Sequence, residues 1–508
     1  MLRQAQHDVS IYLSFPLVKR RFHPMFPLSL PLRPAASAAL CSLSLLLCAG
    51  KAQAQTTTPA DLTAGQPAAE KARLLAVARV DWQNMLAQLH LTLPTLPPAA
   101  TDPARPAGTA QHPGLSSWFD AAGRRYIRSN WGRWSNYDEA KAGRGAQPDP
   151  LVLRNGQPVR DTRTWWQRRR PEILADFTHN IYGEIPKNTP KVSFAVTATD
   201  PTWLGGRAVR KTIAGYIDNA RYPAATPRID LTLYLPAGAS GKVPVVVLVG
   251  DLPPAPIGQP TVLEQVLAAG WALVTTTPTA LQPDSGAGLT TGIIGLVNEG
   301  KPRPPADWGT LAAWSWGLSR TLDYLETDPA VDARRAALQG HSRWGKTALL
   351  AAALDPRWAA AYVSCSGAMG ASLEKRDYGE TLDNVAEASE YHWMAGNFLR
   401  YAGHWDAMPT DAHELLALVA PRPVLITGGT EDTWTDAQGT FLAGVGASPV
   451  YELLGKKGLG TTQMPAPDVA LVSGELAFRE HIGGHIDAPD WPTFLAFAKR
   501  YFEPAAPR

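Results

Sequence analysis

The chain has 508 residues, of which 45% are hydrophobic, 18% are charged and 8% are aromatic. A chain of this length and apolar content can bury a sizeable core, which excludes a disulfide-dependent scaffold and a disordered chain. The 48 Lys and Arg residues nearly balance the 45 Asp and Glu residues, for a net charge of +3. This balance lacks the basic footprint of a nucleic-acid-binding protein, so we expect no nucleic acid as a partner.

Residues 1–54 have the three-part pattern of a secretory signal peptide. A basic region is followed by an apolar, small-residue run at Ala35–Gly50 and by the cleavage motif Ala52-Gln53-Ala54. The apolar run is shorter than the roughly 20 residues that a membrane-spanning helix needs. We therefore predict cleavage near Ala54, a secreted or periplasmic protein and no stable membrane insertion. Two alternatives stay open: a retained anchor, and a true start at Met25.

Removal of this leader changes both the charge and the cysteine content. The leader holds six basic residues and one acid, which leaves 42 basic and 44 acidic residues and a net charge of −2. Only Cys365 of the three cysteines remains, because Cys41 and Cys48 leave with the leader. The sequence therefore predicts an exported protein without an internal disulfide and without long-range electrostatic steering of a charged partner.

Residues 55–145 are predicted to form an amino-terminal extension. An Ala-, Leu- and Glu-rich stretch from Asp61 to His90 predicts a helix. Six prolines between Leu93 and Gly114 indicate a linker or a meandering surface segment. The aromatic-rich stretch 116–145 is expected to lie against the main body, which we place at residues 146–508.

The main body alternates strand-like and helix-like segments. Val245–Val249 is a continuous apolar run, typical of a strand buried on both faces of a parallel sheet. Leu311–Leu325 carries apolar residues at helical spacing, and a further helix is predicted at Trp344–Leu354. This alternation predicts an α/β fold with a mostly parallel central sheet and helices on both faces.

The most informative segment is Ala336–Ala348, which is predicted to run from a strand through a tight turn into a helix. A serine at such a turn, here Ser342, presents its hydroxyl at the carboxyl edge of the sheet, beside the N–H groups of the helix start. The segment departs from the general G-x-S-x-G pattern, because Trp344 occupies the place of the second glycine and Gly345 follows. Ser342 is therefore either a nucleophile or a helix cap.

Two later loops carry the partners that a serine nucleophile needs, in the order Ser, acid, His. The predicted strand Val424–Thr427 leads into a loop with Glu431 and Asp432. His485 follows on a glycine-containing loop before the last helix. Each of these residues alone is ordinary for a loop, but their order and their places at strand ends predict an acyl-transfer triad with Ser342. Glu431 is the alternative to Asp432 as the acid.

The turn around Ser342 resembles the G-C/H-S-R-x-G-K turn of the glucuronoyl esterases, carbohydrate esterase family 15. Its residues are Gly340-His341-Ser342-Arg343-Trp344-Gly345-Lys346. Segments 164–173, 313–320, 392–398 and 415–423 are similar to the bacterial branch of that family. The resemblance implies an α/β-hydrolase fold. It also implies hydrolysis of the ester that joins (4-O-methyl-)glucuronic acid of glucuronoxylan to lignin alcohols, with neither a metal nor a cofactor.

The resemblance implies roles for individual residues as well. Ser342 would attack the uronate carbonyl, His485 would act as the base, and Asp432 would orient His485. Arg343 matches the family arginine that helps to hold the oxyanion. Three further positions match residues that contact the sugar: Lys346, Glu380 and Trp434.

Two features depart from the family pattern. Some members carry the triad acid after the strand that follows the nucleophile, where this chain has Cys365, so the acid role passes to Asp432. Thr277-Pro278-Thr279 stands where an aromatic and Gly-Asp segment is expected, which changes one wall of the pocket. Two other functions stay open: an acetyl (xylan) esterase on the same fold, and a non-catalytic carbohydrate-binding protein. The cations Arg343 and Lys346 disfavour the first, and the complete triad disfavours the second.

Overall fold

The computed structural model describes residues 67–503, except residues 115, 144, 256 and 257. The predicted signal peptide and its cleavage point near Ala54 lie outside the described residues. The described residues form two sheets. The smaller has three two-residue strands: β1 (Ala110–Gln111), β2 (Trp118–Phe119) and β3 (Arg125–Tyr126). The larger has nine: β4 (Val192–Thr202), β5 (Ala208–Ile217), β6 (Arg228–Pro236), β7 (Val243–Val249), β8 (Ala272–Thr276), β9 (Val331–His341), β10 (Ala360–Ser364), β11 (Val424–Gly429) and β12 (Leu476–His481).

The larger sheet has the spatial order β12-β11-β10-β9-β7-β8-β6-β5-β4. The strands β4, β5, β6 and β8 pair antiparallel, whereas β8, β7, β9, β10, β11 and β12 pair parallel. The predicted strand Val245–Val249 lies within β7, near the middle of the sheet. Its residues Val245 and Val247 enter one core and Val246 and Leu248 the other. Burial on both faces explains why the whole run is apolar.

Helices cover both faces of this sheet. The α-helices are α1 (Ala68–Gln88), α2 (Thr162–Thr164), α3 (Arg170–Asp176), α4 (Trp203–Gly206), α5 (Val262–Ala268), α6 (Gly292–Val297), α7 (Thr310–Thr327), α8 (Arg343–Leu354), α9 (Leu382–Val385), α10 (Ala412–Val419), α11 (Ala437–Leu453) and α12 (Trp491–Phe502). Apolar residues of α5 and α12 fill the core on one face, and those of α7, α8, α10 and α11 fill the core on the other. The predicted α/β fold with a mostly parallel sheet between two helical layers is therefore confirmed.

Shorter helical segments connect these elements. Two π-helices flank α3, at Trp165–Arg169 and Phe177–Tyr182. The 3₁₀ segments are Ala99–Thr101, Glu139–Lys141, Pro278–Ala280, Gly286–Thr290, Tyr391–Trp393, Gly396–Tyr401, Trp405–Ala407 and Ala488–Asp490. None of the helices between residues 67 and 503 that the structure describes is long and apolar enough to cross a bilayer.

The amino-terminal part of the described chain is tied to the residues that follow it. α1 lies within the stretch that was predicted as a helix. The Gly379 N–H donates a hydrogen bond to the Asn136 carbonyl (2.8 Å), and Arg133 pairs with Asp377 (2.8 Å). These contacts agree with the expectation that the aromatic-rich stretch lies against the main body. The domain boundary between residues 145 and 146 stays a prediction.

Candidate active site

Four loops meet at the carboxyl edge of β9, β10, β11 and β12, and they carry Ser342, Cys365, Asp432 and His485. The carboxyl ends of parallel strands lie at one edge of a sheet, so residues far apart in sequence become neighbours. Backbone hydrogen bonds join these loops. The Ser342 N–H donates to the Ser364 carbonyl (2.9 Å), and the Glu431 N–H donates to the Gly483 carbonyl (2.8 Å).

Ser342 occupies a strained turn between β9 and α8. Its φ is 57° and its ψ is −128°, in a region that residues with side chains rarely adopt. Such a turn lifts the hydroxyl away from the sheet, and the strain persists only because the surrounding structure holds it. α8 begins at the next residue, so the positive end of the helix dipole points at Ser342.

The glycines of the turn let strand and helix approach closely. A Cβ at Gly340 would clash with the Trp344 carbonyl oxygen, and a Cβ at Gly345 would lie 3.0 Å from the Ser364 carbonyl oxygen. The Trp344 ring packs on Trp314, with the ring centroids 4.6 Å apart. Gly345 is therefore the small residue that this turn requires, one position later than in the general G-x-S-x-G pattern. Trp344 packs against the core.

Asp432 and His485 form a direct pair. His485 Nδ1 donates to Asp432 Oδ2 at 2.7 Å, and Asp432 also accepts a hydrogen bond from the Thr435 hydroxyl. Burial alone would raise the pKa of Asp432, but the hydrogen bond and the charge of His485 bring it below its ordinary value. Asp432 is therefore an ionised carboxylate at neutral pH. Glu431, the alternative acid, is exposed.

The second ring nitrogen of His485 is free for a reaction. Nε2 is buried and has no hydrogen-bond partner among the described residues. The ring lies 4.3 Å from the ring of His341, centroid to centroid. Burial and the charge of His485 lower the pKa of His341 well below its ordinary value, so His341 is a neutral neighbour. The hydrogen bond to Asp432 can thus hold the His485 ring in one orientation while Nε2 exchanges a proton.

Cys365 lies beside this pair, after β10. A thiol, a carboxylate oxygen and a ring nitrogen from Cys365, Asp432 and His485 lie within 4.8 Å of one another. Burial, and then the charge of Asp432, raise the pKa of Cys365 well above its ordinary value. The thiol is therefore protonated, and it packs beside the acid–base pair rather than replacing the acid.

Arg343 is held by a buried carboxylate, that of Asp284. Arg343 Nη1 lies 2.7 Å from Asp284 Oδ2, and the guanidinium lies 5.4 Å from the Trp393 ring centroid. Asp284 Oδ1 also accepts from His392 Nε2 (2.9 Å) and Trp393 Nε1 (2.6 Å). Burial alone would raise the pKa of Asp284, but the His392 hydrogen bond and the Arg343 charge lower it to about 2. We call Asp284, His392 and Trp393 the arginine clamp.

Lys346 and Glu380, both predicted to contact the sugar, form a buried ion pair with each other. Lys346 is only 2% exposed, and its Nζ lies 2.7 Å from Glu380 Oε2. Nζ also donates to the Ala368 carbonyl, and the Ala368 N–H donates to Glu380 Oε2 (3.1 Å). An ammonium group has three donors, so one donor of Lys346 is left for another acceptor.

Trp434 is half-buried on the loop that carries Asp432. The Glu380 N–H donates to the Trp434 carbonyl (2.7 Å), which ties this loop to the ion pair. The indole N–H of Trp434 is buried and has no hydrogen-bond partner in the described part of the chain. Six other indole N–H groups of the described residues are unpartnered in the same way, so this feature does not by itself mark a ligand site.

Comparison with known proteins identifies the family to which this chain belongs. The sequence family "Glucuronyl esterase, fungi" matches residues 223–455. The chain is 34% identical to carbohydrate esterase MZ0003 of an unknown prokaryotic organism, over 73% of this chain and 92% of that protein. A solved structure, a CE15 glucuronoyl esterase from Teredinibacter turnerae, is 37% identical, with a TM-score of 0.72 over 84% of this chain and 100% of the other. The chain belongs to the glucuronoyl esterase family.

Membership of the glucuronoyl esterase family confirms three predictions: the recognised family, the α/β-hydrolase fold, and an enzyme that is a carboxylic ester hydrolase. A fungal relative, 4-O-methyl-glucuronoyl methylesterase 1 of Wolfiporia cocos, is 30% identical over 61% of this chain and 72% of its own length.

Sequence reasoning missed two acids near this candidate site. Asp284 follows β8 in a Gly- and Pro-containing loop that has no distinctive pattern, although His392 and Trp393 fall in a segment that resembles the family. The second acid is Glu390, which is half-buried near the cations of the site. Burial and the charge of Glu380 raise the pKa of Glu390 to about 8, against the opposing charges of Arg343 and Lys346.

Proposed function

We propose that this member of the glucuronoyl esterase family hydrolyses esters of glucuronic acid, with or without a 4-O-methyl group, through an acyl-enzyme on Ser342. The observation that supports this most strongly is the buried Asp432–His485 pair, 2.7 Å apart, with Nε2 of His485 unpartnered among the described residues. Ser342 follows a neighbouring strand on a strained turn, so nucleophile, base and acid belong to one edge of the sheet.

In the first half of the reaction, Ser342 Oγ attacks the carbonyl carbon of the uronate ester while His485 Nε2 takes the hydroxyl proton. Asp432 stays ionised and stabilises the imidazolium that forms. The carbonyl oxygen becomes an oxyanion, which is stabilised by the amino end of α8 and by the Arg343 guanidinium. Collapse breaks the bond to the alcohol, and His485 returns the proton to the leaving oxygen.

In the second half, water replaces the alcohol. His485 Nε2 takes a proton from water, and the hydroxide attacks the acyl carbon to form a second oxyanion. Breaking the Ser342 ester bond releases glucuronate, and His485 returns its proton to Ser342. Each proton that leaves a nucleophile thus returns to a leaving group, and His485 is ready for the next cycle.

The groups around Ser342 support this substrate class. Lys346 has one spare donor, which suits a sugar oxygen, and the resemblance to the family gives Trp434 a contact with the sugar as well. Arg343 suits the negative charge that develops on a uronate carbonyl. The name of the fungal relative specifies the same chemistry for that protein. We infer that the natural substrate is the ester between glucuronoxylan and lignin alcohols, and that an acetyl ester is a poorer fit.

The test compares methyl and benzyl glucuronate with 4-nitrophenyl acetate, for the wild type, Ser342→Ala and the exposed control Ser473→Ala. We expect rapid cleavage of the glucuronates, slow cleavage of the acetate, and a loss of at least about 1,000-fold in kcat for Ser342→Ala alone. Cleavage of the acetate with no cleavage of the glucuronates would overturn the substrate but keep the triad. Full activity of Ser342→Ala would overturn the mechanism.

We also propose that the enzyme is exported and that residues 1–54 are removed near Ala54. The support is the three-part pattern of the leader, with its basic region, its short apolar run and Ala52-Gln53-Ala54. Export fits a substrate that is a cell-wall polymer too large to enter a cell. The cysteine content distinguishes the processed chain, with Cys365 alone, from the unprocessed one, which also holds Cys41 and Cys48.

A further inference from the structure

The amino-terminal helix α1 packs on the loop that carries Asp284. A Cβ at Gly286 would lie 2.7 Å from the Ala78 Cβ and 3.0 Å from the Ala78 Cα. The helix therefore touches this loop two residues after the carboxylate that holds Arg343. A loop that is covered in this way is restrained at the point where its aspartate must stay in place.

Two contacts also fix α1 over the loop of His392 and Trp393. The Trp82 indole N–H donates to the Ala386 carbonyl at 2.9 Å. A Cβ at Gly396 would overlap the Met85 sulfur, so Met85 fills the space beside that glycine. α1 thus lies across both loops of the arginine clamp.

Asp81 is the charged residue of α1 that acts on this region. Its Oδ2 is fully buried and unpaired among the described residues, as are Nε and Nη2 of Arg303 and Nδ1 of His392. Burial raises the pKa of Asp81, and the charges of Arg303 and His392 oppose that rise. An unpaired polar atom inside a protein costs free energy. The opposite charges of Asp81 and Arg303 reduce this cost because each stabilises the other.

Arg303 connects Asp81 to the backbone of the clamp. It is fully buried, and its Nη1 donates to the Met394 carbonyl (2.8 Å) and the Trp308 carbonyl (2.9 Å). Met394 directly follows Trp393, which donates to Asp284. Burial lowers the pKa of Arg303 to about 10, and the charge of Asp81 opposes this shift. Asp81 therefore helps to keep a buried guanidinium charged and bonded to the clamp loop.

We propose that α1 is a working part of the esterase site and that Asp81 is a positioning residue for Arg343. The charge of Asp81 acts on the buried guanidinium of Arg303, which is bonded to the backbone next to Trp393. His392 and Trp393 fix Asp284, and Asp284 sets the position of the Arg343 guanidinium. This inference rests on the proposed oxyanion role of Arg343. It assigns a catalytic purpose to a helix that precedes the predicted hydrolase body in the chain.

The test uses the full chain with Asp81→Asn, Asp81→Glu and the control Glu70→Gln, which alters an exposed ion pair on the same helix. Arg343 meets the oxyanion only in the transition state, so Asp81→Asn should lower kcat on benzyl glucuronate about 3- to 30-fold with little change in KM. Asp81→Glu should restore most of the loss, and Glu70→Gln should leave kcat unchanged. Thermal unfolding of each variant identifies a temperature at which all are folded.

A double-mutant cycle separates positioning from general loosening. In an Arg343→Ala background, Asp81→Asn should change kcat by less than about 2-fold, because the residue that it positions is gone. An equal loss in both backgrounds, or a rise in KM alone, would overturn the proposal. An inactive Arg343→Ala beside a fully active Asp81→Asn would overturn the role of the helix only. A fully active Arg343→Ala would overturn this proposal together with the oxyanion role.

Discussion

The position of the Arg343 guanidinium depends on one carboxylate, that of Asp284. Asp284 binds Arg343, His392 and Trp393 at the same time, at 2.6 to 2.9 Å, and its side chain is buried. Removing one partner of a buried ion pair leaves the other charge uncompensated, which costs more than the net value of the pair. The position of the guanidinium and the stability of the fold therefore depend on the same residue.

We predict that Asp284→Asn lowers the free energy of unfolding at pH 7 by about 3 kcal/mol and also lowers kcat. The folded pKa of about 2 lies below the ordinary value of 3.8, so the ionised carboxylate stabilises the native state. This contribution is complete above pH 3.8 and is lost as the pH falls toward 2. Urea unfolding of wild type and variant should show a constant difference from pH 7 to pH 4, which shrinks at lower pH.

The matched control is Asp218→Asn, at an exposed loop position, which should change stability by less than about 0.5 kcal/mol. Two outcomes would contradict the account of Asp284. One is a difference between wild type and Asp284→Asn that grows as the pH falls below 3.8. The other is an Asp284→Asn variant as stable as the control.

At the scale of elements, the junction of β9 and α8 has no room for a side chain at Gly340. We predict that Gly340→Ala lowers kcat by more than about 100-fold, because the new methyl group would clash with the Trp344 carbonyl and move Ser342. Gly345→Ala should have a smaller effect, since its Cβ would lie 3.0 Å from the Ser364 carbonyl oxygen. Kinetics on benzyl glucuronate and thermal unfolding measure both effects.

Gly241→Ala is the control for this junction, because a Cβ at Gly241 has no atom within 4 Å and the backbone has no positive φ. It should keep full activity. If Gly340→Ala kept wild-type kcat as well, the turn would be adaptable, and the claim that a strained, close-packed junction positions Ser342 would be wrong.

The elements also show what the sequence can reveal about this site. Strands and helices have local periodicity, and the loops of the proposed triad lie at the ends of strands, so Ser342, Asp432 and His485 could be predicted as candidates from their order. The arginine clamp could not, because Asp284 and Arg343 are 59 positions apart and no local pattern links them. The same holds for Trp82 and Ala386, which are 304 positions apart. Glu390 was missed because its raised pKa arises from burial, which composition does not report.

At the scale of the whole molecule, two parts of the chain contribute to the candidate site: the carboxyl edge of the larger sheet and the amino-terminal helix α1. The edge carries the three residues of the proposed triad on the loops after β9, β11 and β12. α1 closes over the loops that hold Arg343, although it precedes that body in the chain. In the proposed mechanism, esterase chemistry at Ser342 therefore depends on a long-range contact as well as on the local turn.

Thiol counting tests both the fold and the proposed processing of the leader. Cys365 is 1% exposed, and its thiol donates to the Ile486 carbonyl at 3.7 Å, so Ellman's reagent should find no fast-reacting thiol in the folded, exported enzyme. After unfolding in guanidinium chloride, a chain cleaved near Ala54 should release one equivalent, whereas a chain that keeps Cys41 and Cys48 would release three. Cys365→Ala should release none from the processed chain. A fast-reacting thiol in the folded protein would contradict the packing of Cys365 beside Asp432 and His485, and three equivalents would contradict cleavage near Ala54.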